Sequence, residues 1–425
     1  MTALRDAPSL QFEGSALESA KKPIVMVSSW PPRKCGIATF AEEALEFVRK
    51  HDRGRPAYVI CHTDGRGRNV FPILDISKAR WYEPVAERIR ELDPYVVHLQ
   101  HEYGLYNHVD RKRGSDHNEG FLKLLEEIRP YPTVVEPHTV HGRMKDREEE
   151  FIRRLAGFCN VLLFKCHYQK WRLDWTFSGK GWDRPRNIMI VPHGARPDRR
   201  YAVDQVDNLK EELGLGHLCG RHIIGLVGWI QSNKRWDIMT SMWDSLYEEI
   251  RQQTGQEWTL LGAGDIRDPH DRPEFERYVN GVRLLQDKGI GHFYRFTPRG
   301  DVYYKVMSVC DFIVLPSIDE TQSGTLARVI ALNKPFVTTA PLEGLTAQAL
   351  ESRGGLLFTN AEMLRRQVLR LATNEGLRWE LGHSLYRYLM DVVSWEVIAG
   401  RYYEAYRAAN AAVHDGVPID IPPEF

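Results

Sequence analysis

Glu320, Ser323, Gly324 and Thr325 stand close together in the stretch Phe312 to Pro335, FIVLPSIDETQSGTLARVIALNKP. Their types suit a ligand that is part phosphate and part polyol. Phe312 to Leu315 reads as a buried parallel strand, being short, apolar and β-branched at its centre. A polar turn follows from Ser317 to Ser323. Gly324 then opens an apolar-periodic helix carrying Leu326, Val329 and Ile330. Strand, polar loop and helix in this order aim backbone N–H groups at an anion. Glu320, just before the helix N-terminus, can accept hydrogen bonds from sugar hydroxyls.

Four other loops carry groups of the same kind. In RKCGIATF, Arg33 to Phe40, Gly36 lets backbone approach a phosphate or sugar closely, and Arg33 and Lys34 add positive charge. No GxGxxG is present there, which counts against a dinucleotide fingerprint. In VVHLQHEYGLY, His98 lies within a strand, while His101 and Glu102 lie at its carboxyl end, where open α/β sheets bind ligands. In VVEPHTVH, His138 and Thr139 follow the next strand. A histidine there can hydrogen-bond a sugar hydroxyl or buffer charge at a reacting centre. In GWIQSNKR, Lys234 and Arg235 can pair with a diphosphate. In LLGAGD, Leu260 to Asp265, Gly262 marks a strand exit offering flat backbone to a nucleotide base.

Metal chemistry has little support in the pattern. No Asp-x-Asp stands at a strand exit and no cysteine–histidine spacing resembles a zinc site. Neutralising a leaving diphosphate then falls to Lys234, Arg235 and helix N-termini. No Gly-x-Ser-x-Gly or Walker-type loop is present.

These loops need a scaffold, and the apolar runs supply one. Strands are expected at 23–29, 58–61, 95–99, 133–135, 160–165 and 187–191 in the first half. In the second half they are expected at 223–229, 258–261, 293–296, 312–315, 336–339 and 355–358, with helices between. That alternation predicts α/β architecture, two doubly wound Rossmann-like domains facing a central cleft. The expected divisions are a flexible terminus at 1–22, a first domain at 23–205, a second at 206–392, and a helix and tail at 393–425 crossing back to the first. The segment Trp171 to Trp182 is rich in tryptophan and can stack on an acceptor glycan or pack on its own domain.

The 425 residues suffice for two domains. Lysine plus arginine equals aspartate plus glutamate at 57 each, so no global field draws the chain to nucleic acid. The opening residues have no apolar core of a signal peptide, and no apolar run reaches the ~20 residues of a membrane span. A cytoplasmic protein with reduced thiols is expected, with peripheral contact at the inner membrane face left open. The oligomeric state is left open too.

Taken together, the motifs resemble the GT-B retaining glycosyltransferases of family 4. The likeness runs from SSWPPRKCGIATF through HLQHEYGLY, PHTVH, VPHG, the Lys234 loop and DETQSGTLARVIALNKP to SWEVIAGRYYEAY. It is nearest to the bacterial branch with CGIATF and QHEYG. The resemblance implies a UDP- or GDP-sugar donor held mainly by the second domain and a glycan, lipid-linked or small-molecule acceptor on the first. It implies no metal or other cofactor, and retention of anomeric configuration.

Residue by residue, the resemblance implies that Gly36 faces the donor phosphates. His138 contacts the donor sugar, with His101 a nearby second candidate. Lys234 belongs to the phosphate-binding pair, Glu320 is the first glutamate of a Glu-x7-Glu motif, and Ser323, Gly324 and Thr325 offer backbone donors. Two positions depart from the pattern. The arginine of the basic pair falls on Trp229, for which Arg235 is a substitute. The second glutamate, which normally holds ribose hydroxyls, falls on Arg328, which has no acceptor; reading a phosphate or pairing with Glu320 are the alternatives for it. Competing functions are a non-catalytic nucleotide-sugar binding protein of the same fold and a GT-B phosphorylase or epimerase.

Overall fold

The computed structural model describes residues 22–110, 114–140, 144–318, 323–340 and 343–421. The expected flexible terminus at 1–22 therefore lies almost wholly outside the described residues. The chain divides into two compact units. One is Met1–Pro192 with Trp395–Phe425, and the other is His193–Ser394.

The first unit is built on a seven-stranded sheet in the order Val70–Leu74, Ala57–His62, Ile24–Ser28, Val96–His101, Thr133–Pro137, Val161–Phe164, Ile188–Ile190. Every pairing is parallel. The central strands are buried on both faces, as the apolar runs of Ile24–Ser28 and Val161–Phe164 require, while Val96–His101 also buries His98, Gln100 and His101. Strand order reverses between Ile24–Ser28 and Val96–His101, the place where such sheets open a ligand crevice. Val70–Leu74 is a strand that the sequence reading leaves out. It contains Pro72, and it forms the sheet edge, the position where a residue without an N–H is tolerated.

The helix Trp395–His414 belongs to this unit and packs on the helix Gly36–His51. Trp395, Ile398, Tyr402 and Tyr406 enter the same core as Phe40, Ala41 and Leu45. The indole N–H of Trp395 donates to Glu43 Oε2 at 3.1 Å, and its ring lies 5.3 Å from that of Phe40.

The second unit has a six-stranded parallel sheet in the order Gly291–Arg295, Trp258–Ile266, His222–Ile230, Phe312–Leu315, Phe336–Thr339, Gly355–Phe358. Its order reverses between His222–Ile230 and Phe312–Leu315. The expected domain break at 205 differs from the observed one after Pro192, because Ala195, Leu209, Leu215 and Leu218 bury themselves in the second unit's core. The Ala195 N–H donates to the Val393 carbonyl at 2.7 Å, so the segments entering and leaving this unit are fastened to each other.

The strand Trp258–Ile266 runs five residues past its expected end at 261. Gly264 permits this, since a Cβ there would collide with the Gly228 carbonyl on the neighbouring strand. Gly228 itself has φ 139°, a conformation that only glycine adopts readily. Such close backbone approach between two strands is not visible as a periodicity in sequence.

Candidate active site

In the second unit the two loops at the reversal of strand order touch. The Ile318 N–H donates to the Asn233 carbonyl at 2.8 Å, joining the exit of Phe312–Leu315 to the turn Ser232–Lys234. The helix Gly324–Ala331 begins here. Ser323 is its N-cap, with Oγ accepting from the Leu326 N–H at 3.3 Å. Thr325 Oγ1 lies 2.7 Å from the Tyr303 hydroxyl. Glu320 lies outside the described residues.

The basic residues of this region are not equivalent. Lys234 ends the short turn and is half-buried. Arg235 sits at φ 48°, left-handed for a residue with a side chain, as N-cap of the helix Trp236–Thr254. Its guanidinium is bonded to Asp237, Nε to Oδ1 at 3.2 Å and Nη2 to Oδ2 at 3.3 Å. That pair holds Arg235 above the ordinary arginine range and occupies part of its donor fork. Tyr278 fixes the turn from below. Its hydroxyl donates to the Ser232 carbonyl at 3.0 Å and accepts from the Arg235 N–H at 3.1 Å. Sequence reasoning missed Tyr278, because it comes from a helix more than forty residues on.

Arg328 is largely buried. Nη1 donates to the Gly324 carbonyl at 2.8 Å, and the guanidinium lies 5.0 Å from the Tyr303 ring and 5.6 Å from that of Tyr304. In these contacts Arg328 braces the first turn of its own helix. His193 was also missed as a site candidate. Its Nδ1 lies 2.8 Å from the Gly194 carbonyl, which can only accept, so Nδ1 carries the proton. Its Nε2 lies 4.0 Å from where a Cβ on Gly324 would be.

Gly262 falls inside the strand Trp258–Ile266 instead of at a strand exit. A Cβ there would meet Val282 Cγ2 at 2.8 Å and Trp236 at 3.4 Å. The structure thus gives this glycine a packing reason that needs no ligand.

In the first unit Gly36 is the first residue of its helix, is exposed, and would carry a Cβ with nothing within 4 Å. The fold does not demand glycine there, and the space before it is open. Arg33 Nε lies 3.6 Å from Asp64 on the adjoining loop. Glu102 caps the short helix Tyr103–Tyr106, accepting from the Tyr103 N–H at 3.0 Å, and it also accepts from the Thr139 hydroxyl. The ends of two neighbouring strands are fastened in this way.

The three histidines differ sharply. His101 is 1% exposed and sits among Tyr103, Tyr106, Phe121 and Phe151. Burial pushes it down to about 3, against the hydrogen bond its Nε2–H donates to Asn118 Oδ1 at 3.2 Å, so it is a neutral core residue. The suggested sugar contact by His101 is therefore not supported by its position. His98 is fully buried, with Nδ1 2.8 Å from the Tyr406 hydroxyl and Nε2 3.1 Å from Glu136 Oε2. His138 alone is part-exposed. Its Nε2 lies 2.7 Å from Gln100 Oε1, its ring meets Phe40 edge-on at 4.8 Å, and its N–H donates to the His101 carbonyl at 2.9 Å.

Behind His138 lies a buried charge that sequence reasoning passed over. Glu136, 0% exposed, accepts from Lys165, from Gln100 Nε2 at 2.7 Å and from the Tyr402 hydroxyl at 2.9 Å. Burial alone would raise its pKa, but the Lys165 ammonium and the hydrogen bonds hold it well below the usual carboxylate range. The signal available was a glutamate inside an otherwise apolar strand, TVVEP.

The tryptophan-rich segment divides. Trp171 and Trp175 are exposed and stack at 6.0 Å on the helix His167–Gly179, with Arg172 4.9 Å from the Trp175 ring. Trp182 instead packs edge-on against Phe177 and lines a hollow of about 500 Å³ with Arg153, Arg184 and Asn187. Asn187 enters the strand Ile188–Ile190, at the opposite end from the His138 loop. Among the described residues no cluster of three potential metal ligands occurs, and no helix is long and apolar enough to cross a membrane.

Residues 221–374 match the family described as Glycosyl transferases group 1. No protein of curated function matches this chain. Solved structures similar in fold include Alr3699/HepE of Anabaena in complex with UDP, 14% identical with a TM-score of 0.66, covering 90% of this chain and 98% of that one. Sucrose-phosphate synthase from Thermosynechococcus elongatus is 15% identical with a TM-score of 0.66, covering 92% of this chain and 100% of that one. The trehalose-6-phosphate synthase OtsA is 12% identical with a TM-score of 0.65, covering 91% and 99%. The fold is GT-B, two parallel-sheet α/β domains.

Proposed function

We propose that this chain is a retaining glycosyltransferase of family 4 type, moving a hexose from a UDP- or GDP-sugar to a glycan, lipid-linked or small-molecule acceptor without a metal ion. The observation that carries the reading is the junction of the Lys234 turn with the loop leading to Gly324, at the reversal of strand order in the segment that matches the glycosyl transferase family. The UDP bound to the Anabaena neighbour supports a nucleotide donor.

In this reading Lys234 and the N–H groups at the start of Gly324–Ala331 stabilise the departing diphosphate. Arg235 contributes a weaker field, because Asp237 already engages it. Glu320 accepts hydrogen bonds from donor sugar hydroxyls, and His138 contacts the same sugar. Gly36 admits the diphosphate close to backbone. The acceptor hydroxyl attacks on the leaving-group face and gives its proton to the departing phosphate, so no separate base is needed.

A second reading, a nucleotide-sugar binding protein without transfer, is favoured by Arg328. A bracing arginine stands where the family resemblance expects a ribose-binding glutamate. One screen separates the two. Thermal unfolding is followed with UDP, GDP, ADP and their sugar conjugates in EDTA, and transfer is then assayed with the stabilising donor. Binding at a hundred times Kd stabilises by about 2.7 kcal/mol. Stabilisation by one nucleotide family, with EDTA-insensitive transfer, is the expected result. Donor binding with no transfer to any acceptor would select the second reading, and activity lost in EDTA and restored by Mn²⁺ would refute metal independence.

A further inference from the structure

His138 is held by an amide whose orientation is itself dictated by a buried charge. The Glu136 carboxylate is ionised and can only accept hydrogen bonds. Gln100 faces it at 2.7 Å, so the group it presents there must be the amide nitrogen. The other end of the same amide, the carbonyl Oε1, then faces His138 Nε2 at 2.7 Å. A carbonyl oxygen only accepts, so the proton of that contact belongs to His138 Nε2.

We propose that Gln100, oriented by Glu136, is a positioning residue that fixes neutral His138 in the Nε2–H tautomer and so makes Nδ1 the ring nitrogen that accepts. A sugar hydroxyl meeting Nδ1 would donate to it, and a group that can only accept would be rejected. The functional consequence rests on the proposed transfer reaction, whereas the tautomer does not.

The array is built to keep this orientation. Glu136 is held on its other sides by Lys165 and by Tyr402 from the C-terminal helix. The Gln100 nitrogen also lies 3.0 Å from His98 Nε2, and His98 is tied in turn to Tyr406 of that helix. Phe40 closes the face of His138 edge-on, with Lys165 4.5 Å from the centre of the Phe40 ring. Turning the Gln100 amide would set its carbonyl against the Glu136 carboxylate, a contact between two acceptors in a site without water-like screening. The imidazole therefore inherits its tautomer from a carboxylate acting through the Gln100 amide. The C-terminal helix, remote in sequence, contributes through two hydroxyls.

The test is the ¹⁵N spectrum of the full-length protein labelled at histidine, with His138 assigned from the signal lost in His138→Gln. Long-range couplings identify which ring nitrogen carries the proton. The expected result is a single neutral tautomer protonated at Nε2. A His138 protonated at Nδ1, or averaging between the two forms, would overturn the proposal, and this wild-type measurement, assigned with His138→Gln, decides it even if Gln100→Met does not fold. In Gln100→Met the ring should populate both tautomers, and kcat should fall on the order of tenfold or more with donor KM little changed. An unaltered His138 spectrum in folded Gln100→Met would equally overturn it. Wild-type protein with the expected spectrum but no transfer activity would refute the proposed function and uphold the positioning of His138.

Discussion

The Tyr402 hydroxyl donates to Glu136 at 2.9 Å across 266 residues of sequence, and Lys165 pairs with the same carboxylate inside the core. A buried charge deprived of its partner is costly, commonly about 3–5 kcal/mol. Glu136→Leu is therefore expected to destabilise the protein by roughly that amount, because it strands the Lys165 ammonium. The double variant Glu136→Leu with Lys165→Met should recover most of the loss. Urea midpoints of wild type and the two variants check this, and equal midpoints for the single and double variants would contradict it.

Lys234 and Arg235 should separate under mutation. Lys234→Ala is expected to lower kcat/KM at least tenfold, about 1.4 kcal/mol of transition-state stabilisation, with unchanged thermal unfolding. Arg235→Ala should cost less, since Asp237 already engages the guanidinium. An Arg235→Ala loss equal to or above that of Lys234→Ala would reverse the assignment. Glu320→Gln should also lose at least tenfold in transfer.

Glycine positions offer a contrast between fold and site. Gly36→Ala adds a methyl that meets nothing within 4 Å, so unfolding should be unchanged while donor KM rises. Gly262→Ala presses on Val282 and Trp236 and should cost about 1–3 kcal/mol of stability. A stable Gly262→Ala, or a destabilised Gly36→Ala, would contradict the placement of these residues.

Tyr278→Phe removes the hydroxyl that bonds Ser232 and Arg235 while keeping the ring. A net loss of about 1 kcal/mol in stability is expected, together with a higher donor KM from a loosened Lys234 turn. Steady-state kinetics with unaltered KM would show that the turn holds its shape without Tyr278.

Acid should destabilise the first unit. Burial pushes His101 down to about 3, and burial with Arg33 nearby pushes His62 to about 4, against 6.5 when exposed. Between those values the unfolded chain binds protons that the folded one does not. Stability is thus full above about pH 6.5 and falls as pH drops toward 4 and 3, by up to about 1.4 kcal/mol per pH unit for each histidine. Glu136, depressed in the folded state, adds loss at the acid end. Thermal midpoints across this range should show the slope, and His101→Phe should reduce it. A flat profile would show these rings to be solvated.

Composition and local pattern carry much of this molecule. Runs such as IVMVS, VLLF and FIVL determined two parallel sheets, because a strand buried on both faces is mostly apolar. The edge strand Val70–Leu74 escaped this logic, since an edge is half-solvated and admits proline. The same logic located the strand-end loops, because ligands in open sheets meet the carboxyl ends of strands.

What it left open was the work of each polar residue. His98, His101 and His138 all belong to strands or their ends, and only the tertiary structure divides them into a network member, a neutral core ring and a part-exposed group. Their partners are Tyr406, Asn118 and Gln100, at sequence separations of 308, 17 and 38 residues that no periodicity links. Gly262 likewise reads as a ligand contact until Val282 is seen against it. Apolar burial is set by residue type and spacing along the chain, so sequence determined the scaffold. A polar group's role depends on which donors and acceptors surround it in three dimensions, and those came together only when the chain folded.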